Sequence, residues 1–215
     1  MPQTGVLIVE DHPIFSKGLA ALLKSQPLFS ITGEAGNGRD AMEIIQQKMP
    51  DLAIVDLNLG NEDGLEFIKN VHVLYPHLKI LVLSMHDERY YASRAIKAGA
   101  SGYIMKEEAG SNVLTAVRTV MAGKIYLSRS EVIRRNASSP DAAPDRNGDI
   151  SLLSDRQLQI FTFIGQGLGT VEIAERLGLS TKTVDTHKEH MKLKLKCETS
   201  QELRQLAVEW FHTNN

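Results

Sequence analysis

The sequence predicts an α/β domain with a doubly wound, five-stranded parallel sheet, followed by a smaller all-α domain of four helices that contains a helix-turn-helix. Two observations indicate this architecture. In the first 127 residues, short apolar runs alternate with segments whose apolar residues recur at spacings of three and four, a pattern typical of strands alternating with amphipathic helices. Such alternation favours a parallel sheet with helices on both faces. From Leu152 onward the pattern is helical only.

The elements of the first domain follow from these two periodicities. The predicted strands are the apolar runs Val6–Val9, Phe29–Ile31, Leu52–Val55, Ile80–Leu83 and Tyr103–Met105. The predicted helices occupy residues 13–25, 38–48, 63–74, 87–98 and 110–122.

The helices of the second domain are bounded by capping residues and glycines. Ser154 is the predicted N-cap of the first helix, and Gly178 closes the second. Ser180 is the predicted N-cap of the third helix, and Thr199 or Ser200 opens the fourth. The tight turn between the second and third helices indicates a helix-turn-helix.

Composition separates the two domains. The stretch 129–150 is poor in large apolar residues and rich in Ser, Asn, Asp, Pro and Ala, which is typical of a linker. We therefore expect a first domain at residues 1–127, a linker at 128–150 and a helix-turn-helix domain at 151–215.

Overall composition limits the class of protein. Hydrophobic residues make up 42% and charged residues 23% of the 215-residue chain, as in ordinary globular proteins. No signal-like segment opens the chain, and no apolar run approaches the ~20 residues of a membrane span, so we expect a cytoplasmic protein without a membrane partner. A single cysteine, Cys197, rules out an internal disulfide. The net charge of −2 does not indicate a nucleic-acid binder, so a prediction of that function has to rest on the local arrangement of charged residues.

Polar residues terminate four of the five predicted strands. The first strand is followed by Glu10 and Asp11, the third by Asp56, the fourth by Ser84 and the fifth by Lys106. Ligands of open parallel sheets bind at the carboxyl ends of the strands, so these side chains are expected to converge. Three carboxylates at one edge suit a hard divalent cation such as Mg²⁺, which pairs naturally with a phosphoryl group.

The residue types at this edge assign chemical roles. Asp56 is a potential nucleophile toward phosphorus. Lys106 and the cation would neutralise charge on the transferring group, and Ser84 would hydrogen-bond one of its oxygens. Alternatively, each of these residues is an ordinary solvated residue at a strand end.

The segments LIVEDH, LAIVDLNLGNEDG, ILVLS and GASGYIMK resemble the phosphoacceptor receiver domain of two-component response regulators over about residues 5–124. The resemblance implies a flavodoxin-like fold in which Asp56 accepts phosphate from a sensor histidine kinase and Lys106 contacts the phosphoryl group. It also assigns Ser84 and Tyr103 to the switch that reports phosphorylation, although a strand aromatic is commonly just part of the core. The implied Mg²⁺ ligands are Glu10, Asp11, Asp56 and the backbone carbonyl of Asn58.

The segment LSDRQLQIFTFIGQGLGTVEIAERLGLSTKTVDTHKEHMKLKL resembles the output domain of the NarL/FixJ (LuxR-type) transcription regulators over about residues 150–212. The resemblance implies that the third helix of this domain enters the major groove of promoter DNA. The helix itself supports this, because Val184, Met191 and Leu195 form an apolar stripe and the remaining surface is locally basic. The candidate DNA-binding residues are Lys182, Thr183, Asp185, Thr186, His187, Lys188, Glu189 and Lys192.

The carboxylates on this helix allow two interpretations. Asp185 or Glu189 accepts a hydrogen bond from a base while Lys188 and Lys192 position the helix on the DNA. Alternatively, these carboxylates pair with lysines three or four residues away and the helix is an ordinary solvated one.

Three departures from the two family patterns are visible. Gly60 stands where receiver domains often have proline, so we expect a more mobile loop after Asp56. Gln157 replaces the usual glutamate in the first helix of the second domain, which is expected to loosen a local pairing. Thr170-Val171 replaces the frequent Asn-Lys before Glu172, which removes one expected phosphate contact.

Together these patterns predict a phosphorylation-controlled transcription regulator and not an enzyme. We expect a homodimer when the chain is phosphorylated or bound to DNA, because paired half-sites suit a dimer. Two alternatives remain open at this point. One is a Mg²⁺-dependent phosphohydrolase with Asp56 as nucleophile, although such enzymes usually have a second acid where Asn58 stands. The other is a regulator whose helical domain binds a protein partner.

Overall fold

The computed structural model describes residues 3–59, 62–128 and 150–213. The chain divides into two compact units, Met1–Asn136 and Ala137–Asn215. The predicted linker, apart from its end residues Ser128 and Ile150, lies outside the described residues, and so does Gly60.

The first unit is built on a parallel sheet. Its strands in chain order are β1 (Thr4–Val9), β2 (Phe29–Ala35), β3 (Leu52–Val55), β4 (Asn58–Leu59), β5 (Glu62–Asp63), β6 (Lys79–Ser84) and β7 (Gly102–Met105). Five of them form one sheet in the order β2-β1-β3-β6-β7, and every pairing in it is parallel. This confirms the predicted sheet. The short strands β4 and β5 pair antiparallel beside it, and the sequence pattern did not predict them.

Five helices connect the strands. They are α1 (Pro13–Lys24), α2 (Gly38–Lys48), α3 (Gly64–Leu74), α4 (Glu88–Ala98) and α5 (Ala109–Met121). Each predicted helix end agrees with the structure to within one residue. Three of the helices start where a side chain caps the backbone: Asn37 accepts from the amide of residue 40, Asp63 from those of 65 and 66, and Asp87 from that of 89.

The central strands hold the core. Residues 6–9 of β1, 52–55 of β3 and 80–83 of β6 are all buried, which is why their sequences are continuous apolar runs without polar alternation. Their carboxyl ends therefore emerge from a closely packed layer and fix the polar residues that follow them.

The chain continues along the sheet after α5. Residues 125–128, here called the exit segment, lie against the outer side of β7. Tyr126 donates its amide to the Ser101 carbonyl at 3.1 Å, and its own carbonyl accepts from the Tyr103 amide at 2.9 Å. A parallel bridge joins Tyr126 to Gly102. The sequence pattern did not predict this bridge.

Four α-helices, as predicted, lie within residues 150–213, the described part of the second unit. They are α6 (Asp155–Gly165), α7 (Thr170–Arg176), α8 (Thr181–Leu195) and α9 (Ser200–Thr213). Ser154 caps α6, Ser180 caps α8, and Thr199 accepts a hydrogen bond from the amide of Glu202 in the first turn of α9. Gly178, with φ of +60°, makes the turn between α7 and α8.

The helix-turn-helix packs through the apolar stripe that the sequence predicted. Val184, Met191 and Leu195 of α8 are all buried, and so are Ile173 and Leu177 on the side of α7. The opposite side of α8 is thereby left facing outward. Among the described residues, none of the helices combines the length and the apolar character needed to cross a bilayer.

Candidate functional site

The carboxyl edge of the sheet brings the predicted acidic and basic residues into contact. The Lys106 Nζ atom lies 2.7 Å from Asp56 Oδ2 and 2.7 Å from Glu10 Oε2. It also donates to Glu10 Oε1 at 2.9 Å. Lys106 directly follows β7, Asp56 follows β3 and Glu10 follows β1. Side chains that are far apart in the sequence are therefore in contact at the carboxyl edge of the sheet. A single ammonium thus bridges two carboxylates.

Burial controls the protonation of this cluster. Asp56 is 2% exposed, and burial raises its pKa from the ordinary value of 3.8 to about 6, although Lys106 opposes the change. Burial alone would lower the pKa of Lys106, but the charges and hydrogen bonds of Asp56 and Glu10 outweigh it and raise that pKa. Lys106 therefore stays charged at neutral pH, whereas the Asp56 carboxyl titrates close to neutral pH.

Asp11 and His12 extend the cluster toward solvent. The Oδ1 atom of Asp11 is buried and accepts no hydrogen bond among the described residues. His12 Nδ1 lies 2.7 Å from this oxygen, outside hydrogen-bond geometry, and 3.0 Å from Glu10 Oε1. Ligand atoms of Glu10, Asp11, His12 and Asp56 all lie within 4.8 Å of one another. A buried carboxylate oxygen without a donor, in a set dominated by carboxylates, fits a hard divalent cation.

Asn58 contributes through its backbone. Its amide donates to Asp56 Oδ1 at 3.1 Å, which leaves Oδ2 to Lys106. Each oxygen of the Asp56 carboxylate is thus held by one partner, and the carboxylate has a fixed orientation.

Ser84 lies beside the acidic cluster at the end of β6. It is fully buried, and its Oγ atom accepts a hydrogen bond from the His86 amide at 3.1 Å. Among the hydrogen bonds described for residues 3–59 and 62–128, Ser84 makes none with Asp56 or Lys106. The structure therefore places Ser84 next to the site with its hydroxyl turned toward the β6–α4 loop.

Tyr103 is joined to the same loop. Its ring is fully buried, and its hydroxyl donates to the His86 carbonyl at 2.6 Å. Burial raises the pKa of Tyr103 well above its ordinary value, opposed by a hydrogen bond with Ser84. The sequence singled out Tyr103 but not the carbonyl that holds it, because any residue at position 86 supplies a carbonyl.

The ring of His86 is also fixed. It stacks on Tyr91 of α4 with ring centroids 4.5 Å apart and an interplanar angle of 16°. Burial, followed by the charge of Lys106, lowers the pKa of His86 to about 4. His86 is therefore neutral at physiological pH and packs as an aromatic residue.

The outward side of α8 carries the candidate DNA-binding residues. Lys182, Asp185, Thr186 and Glu189 are exposed, and the remaining four, Thr183, His187, Lys188 and Lys192, are half-buried. Both carboxylates have lysine neighbours: Glu189 lies 2.8 Å from Lys192, and Asp185 lies 3.9 Å from Lys188. Each of the two carboxylates is nevertheless 62% exposed. The internal pairs considered for the sequence are present, and the carboxylates still face outward.

Lys188 reaches across to α7. Its ammonium donates a hydrogen bond to Oγ1 of Thr170, and the Thr170 hydroxyl in turn lies 3.4 Å from Asp185 Oδ1. In the sequence, Thr170 indicates only the absence of an expected phosphate contact. In the structure it orients a lysine at the junction of the two helices of the helix-turn-helix.

Gln157 has a partner that the sequence did not reveal. It closes a capping box with Ser154 at the start of α6, and its Oε1 atom accepts from Lys194 Nζ at 2.7 Å. Lys194 also donates to the Leu152 carbonyl at 2.9 Å, which ties α8 to the residues before α6. These contacts run through the amide oxygen of Gln157, and the expected loosening relative to a glutamate stays a prediction.

Comparison with known proteins agrees with both units. Residues 6–118 match the response regulator receiver domain family, and residues 151–207 match the bacterial regulatory proteins of the luxR family. The chain is 32% identical over 209 residues to the oxygen regulatory protein NreC of Staphylococcus epidermidis, covering 94% of this chain and 96% of NreC. It is 33% identical over 202 residues to the virulence-factor regulator BvgA of Bordetella pertussis, covering 94% of this chain and 95% of BvgA.

A solved structure shares the fold. RcsB of Salmonella enterica serovar Typhimurium, bound to the rprA promoter with the phosphomimetic BeF3⁻, has a TM-score of 0.69 at 21% identity, covering 96% of this chain and 99% of RcsB. The receiver fold, the helix-turn-helix and the full-length relatives lead to one assignment. The chain belongs to the NarL/FixJ (LuxR-type) two-component response regulators, transcription regulators that join a receiver domain to a LuxR-type DNA-binding domain.

Proposed function

We propose that Asp56 accepts a phosphoryl group from a sensor histidine kinase in the presence of Mg²⁺, and that this event changes the binding of promoter DNA by α8. The receiver domain would comprise residues 1–127, the linker 128–150 and the DNA-binding domain 151–215. The observation that carries the proposal is the contact of Lys106 with both Asp56 and Glu10, beside a buried Asp11 oxygen that lacks a donor among the described residues.

The chemistry follows from the state of the Asp56 carboxylate. With a pKa of about 6, about nine in ten Asp56 side chains are ionised at pH 7 and able to attack phosphorus. One carboxylate oxygen bonds to phosphorus as the phosphorus–nitrogen bond of the kinase phosphohistidine breaks, and the released imidazole nitrogen takes a proton. Lys106 neutralises charge on the transferred group, and the Ser84 hydroxyl turns to hydrogen-bond one of its oxygens.

The cation would be held by oxygens of Glu10, Asp11, Asp56 and the Asn58 carbonyl. When bound, Mg²⁺ would supply positive charge to the phosphoryl oxygens. The donor set fits it because these ligands are hard oxygens, and within the described residues the acidic group adds a single imidazole nitrogen, from His12.

Intact-mass measurement with a small phosphodonor and Mg²⁺ tests the acceptor. Wild type should gain one phosphate and Asp56→Asn none. Asp11→Asn is the matched control, because it removes one charge at the site and keeps the acceptor, so it should gain phosphate only at higher Mg²⁺ concentration. Equal gains by wild type and Asp56→Asn would refute the assignment of Asp56.

The switch involves Ser84 and Tyr103. Reorientation of Ser84 toward a phosphoryl group would remove its hydroxyl from the His86 amide and disturb the loop that also holds the Tyr103 hydroxyl. We propose that the altered receiver surface forms a homodimer that matches paired half-sites. Sedimentation with and without phosphodonor measures this, and a Ser84→Ala variant that dimerises like wild type would show that the coupling runs through other residues.

DNA recognition would divide between lysines and carboxylates on α8. Lys188 lies at the α7–α8 junction and would contact a phosphate, whereas the outward Asp185 would accept a hydrogen bond from a cytosine amine. Sites selected from random DNA give the probe. Asp185→Ala should relax preference at one base pair by about 1–3 kcal/mol if the contact is direct. Equally stronger binding to every sequence would show that Asp185 is only a repulsive charge.

A further inference from the structure

The exit segment is the part of the receiver unit that leads toward the DNA-binding unit, and it is hydrogen-bonded on two sides. On one side Tyr126 pairs with β7, including the amide of the switch residue Tyr103 at 2.9 Å. On the other side the Ser128 amide donates to Oε1 of Glu88 at 2.8 Å. The exit segment is therefore attached both to β7 and to the start of α4.

Glu88 is unusual for a residue in the first turn of a helix. It is only 5% exposed, although glutamates in such positions are ordinarily solvated. A buried carboxylate requires hydrogen-bond donors, and the Ser128 amide is one of them. Glu88 and residue 128 are thus linked by a hydrogen bond, and breaking it costs free energy because the buried carboxylate loses a donor.

The same helix start is tied to the phosphoacceptor site. Ser84 holds the His86 amide at 3.1 Å, and His86 holds the Tyr103 hydroxyl at 2.6 Å. The His86 ring stacks on Tyr91, one turn further into α4. Three residues separate Ser84 from Glu88, so loss of the Ser84–His86 hydrogen bond would remove one of the contacts that fix the segment leading into the first turn of α4.

We infer that Glu88 is a positioning residue: its hydrogen bond to the Ser128 amide restrains the exit segment and opposes DNA binding, and phosphorylation at Asp56 releases this restraint. The inference rests on the proposed function, since it takes Asp56 as the phosphoacceptor. Movement of Ser84 toward the phosphoryl group would withdraw the β6–α4 loop, and with it the Glu88 carboxylate, from residue 128.

Two pairs of variants isolate the hydrogen bond in the full-length chain. Ser128→Pro removes the amide hydrogen, and Ser128→Ala keeps it. Glu88→Ala removes the acceptor, and Glu88→Gln keeps an acceptor oxygen. In each pair the second variant is the matched control, because it changes the side chain and preserves the bond.

The first readout is hydrogen exchange of the Ser128 amide, measured by NMR. In wild type and Glu88→Gln the amide should be protected, and a small phosphodonor with Mg²⁺ should remove the protection. In Glu88→Ala the amide should exchange fast with or without the phosphodonor. Protection of Ser128 that is the same in Glu88→Ala as in wild type would overturn the inference.

The second readout is affinity for DNA sites selected from random sequence. Ser128→Pro and Glu88→Ala should bind these sites at least about fivefold more tightly than wild type without phosphodonor, the lower end of usual coupling factors. The increase in their DNA affinity on phosphorylation should be correspondingly smaller than in wild type. Ser128→Ala and Glu88→Gln should have the same affinities as wild type. Unchanged affinity of both disrupting variants without phosphodonor would overturn the restraint.

Intact mass, measured on the same samples, separates the two proposals. If no phosphate is added to Asp56, the proposed function fails. The restraint is then still decided by the exchange and affinity of the variants without phosphodonor. If Asp56 is phosphorylated and the variants match wild type in both readouts, the restraint alone is wrong.

Discussion

Replacing Asp56 by asparagine should stabilise the receiver unit in a pH-dependent manner. The pKa of Asp56 is raised from 3.8 to about 6, mainly by burial, so the folded state binds the Asp56 proton more tightly than the unfolded state. The stability that this proton contributes is therefore fully present below pH 4 and is lost as the pH rises through 6. At about 1.4 kcal/mol for each pKa unit, the loss amounts to about 3 kcal/mol of unfolding free energy.

The substituted asparagine would have the shape of the protonated aspartate and no titrating group. Asp56→Asn should match wild type at pH 4 and exceed it by about 3 kcal/mol above pH 7 in the absence of divalent cations. Added Mg²⁺ should narrow the difference, because it would bind and stabilise the folded wild type preferentially.

The aromatic residues allow the two units to be followed separately. All five tyrosines lie in the first unit, and the one tryptophan, Trp210, lies in the second. Near-ultraviolet circular dichroism of tyrosine during urea unfolding reports the receiver unit, and Trp210 fluorescence is the internal control that Asp56→Asn should not alter. If the unfolding free energies of the two proteins change in parallel between pH 4 and 7, or if Asp56→Asn is less stable than wild type at pH 7, the raised pKa of the buried Asp56 is refuted.

Three further outcomes are expected. Gln157→Glu keeps the capping box and turns the Lys194 contact into a charge-assisted one, so the unfolding free energy of the second unit, followed by Trp210 fluorescence, should rise by about 0.5–1 kcal/mol. An unchanged or lower unfolding free energy would contradict this. Lys188→Ala should weaken binding to all DNA sites alike and reduce the salt slope by about one, which titrations at several salt concentrations measure. Gly64→Ala should destabilise the receiver unit by about 2 kcal/mol or more, because the added Cβ would lie 2.5 Å from the Leu57 Cα, and calorimetry should show the lower transition.

The polar edge of the sheet could be predicted because parallel strands place their carboxyl ends together. The residues directly after each apolar run suffice to identify Glu10, Asp56 and Lys106 as members of one site. The sequence could not show that one ammonium contacts both carboxylates, because the lateral order β2-β1-β3-β6-β7 is not written in the periodicity of single strands. Their contact depends on β1 and β3 being neighbours.

Contacts made by the backbone were invisible for a different reason. The His86 carbonyl and the Ser128 amide exist at those positions whatever the side chain, so no residue type signals their role. Thr170 illustrates an intermediate case. Its hydroxyl was visible in the sequence, but its orientation of Lys188 requires that α7 and α8 cross at that residue.

The exit segment also determines where the receiver unit can be cut. β7 is the last strand of the sheet, and an edge strand with unpaired amides and carbonyls is a template for pairing with another molecule. Tyr126 covers this edge, yet the receiver family match ends at residue 118. A fragment trimmed to that boundary would leave the Tyr103 amide and the Ser101 carbonyl open to a second copy. Fragments prepared for study of the isolated receiver therefore need to reach residue 128, and shorter ones are expected to self-associate through β7.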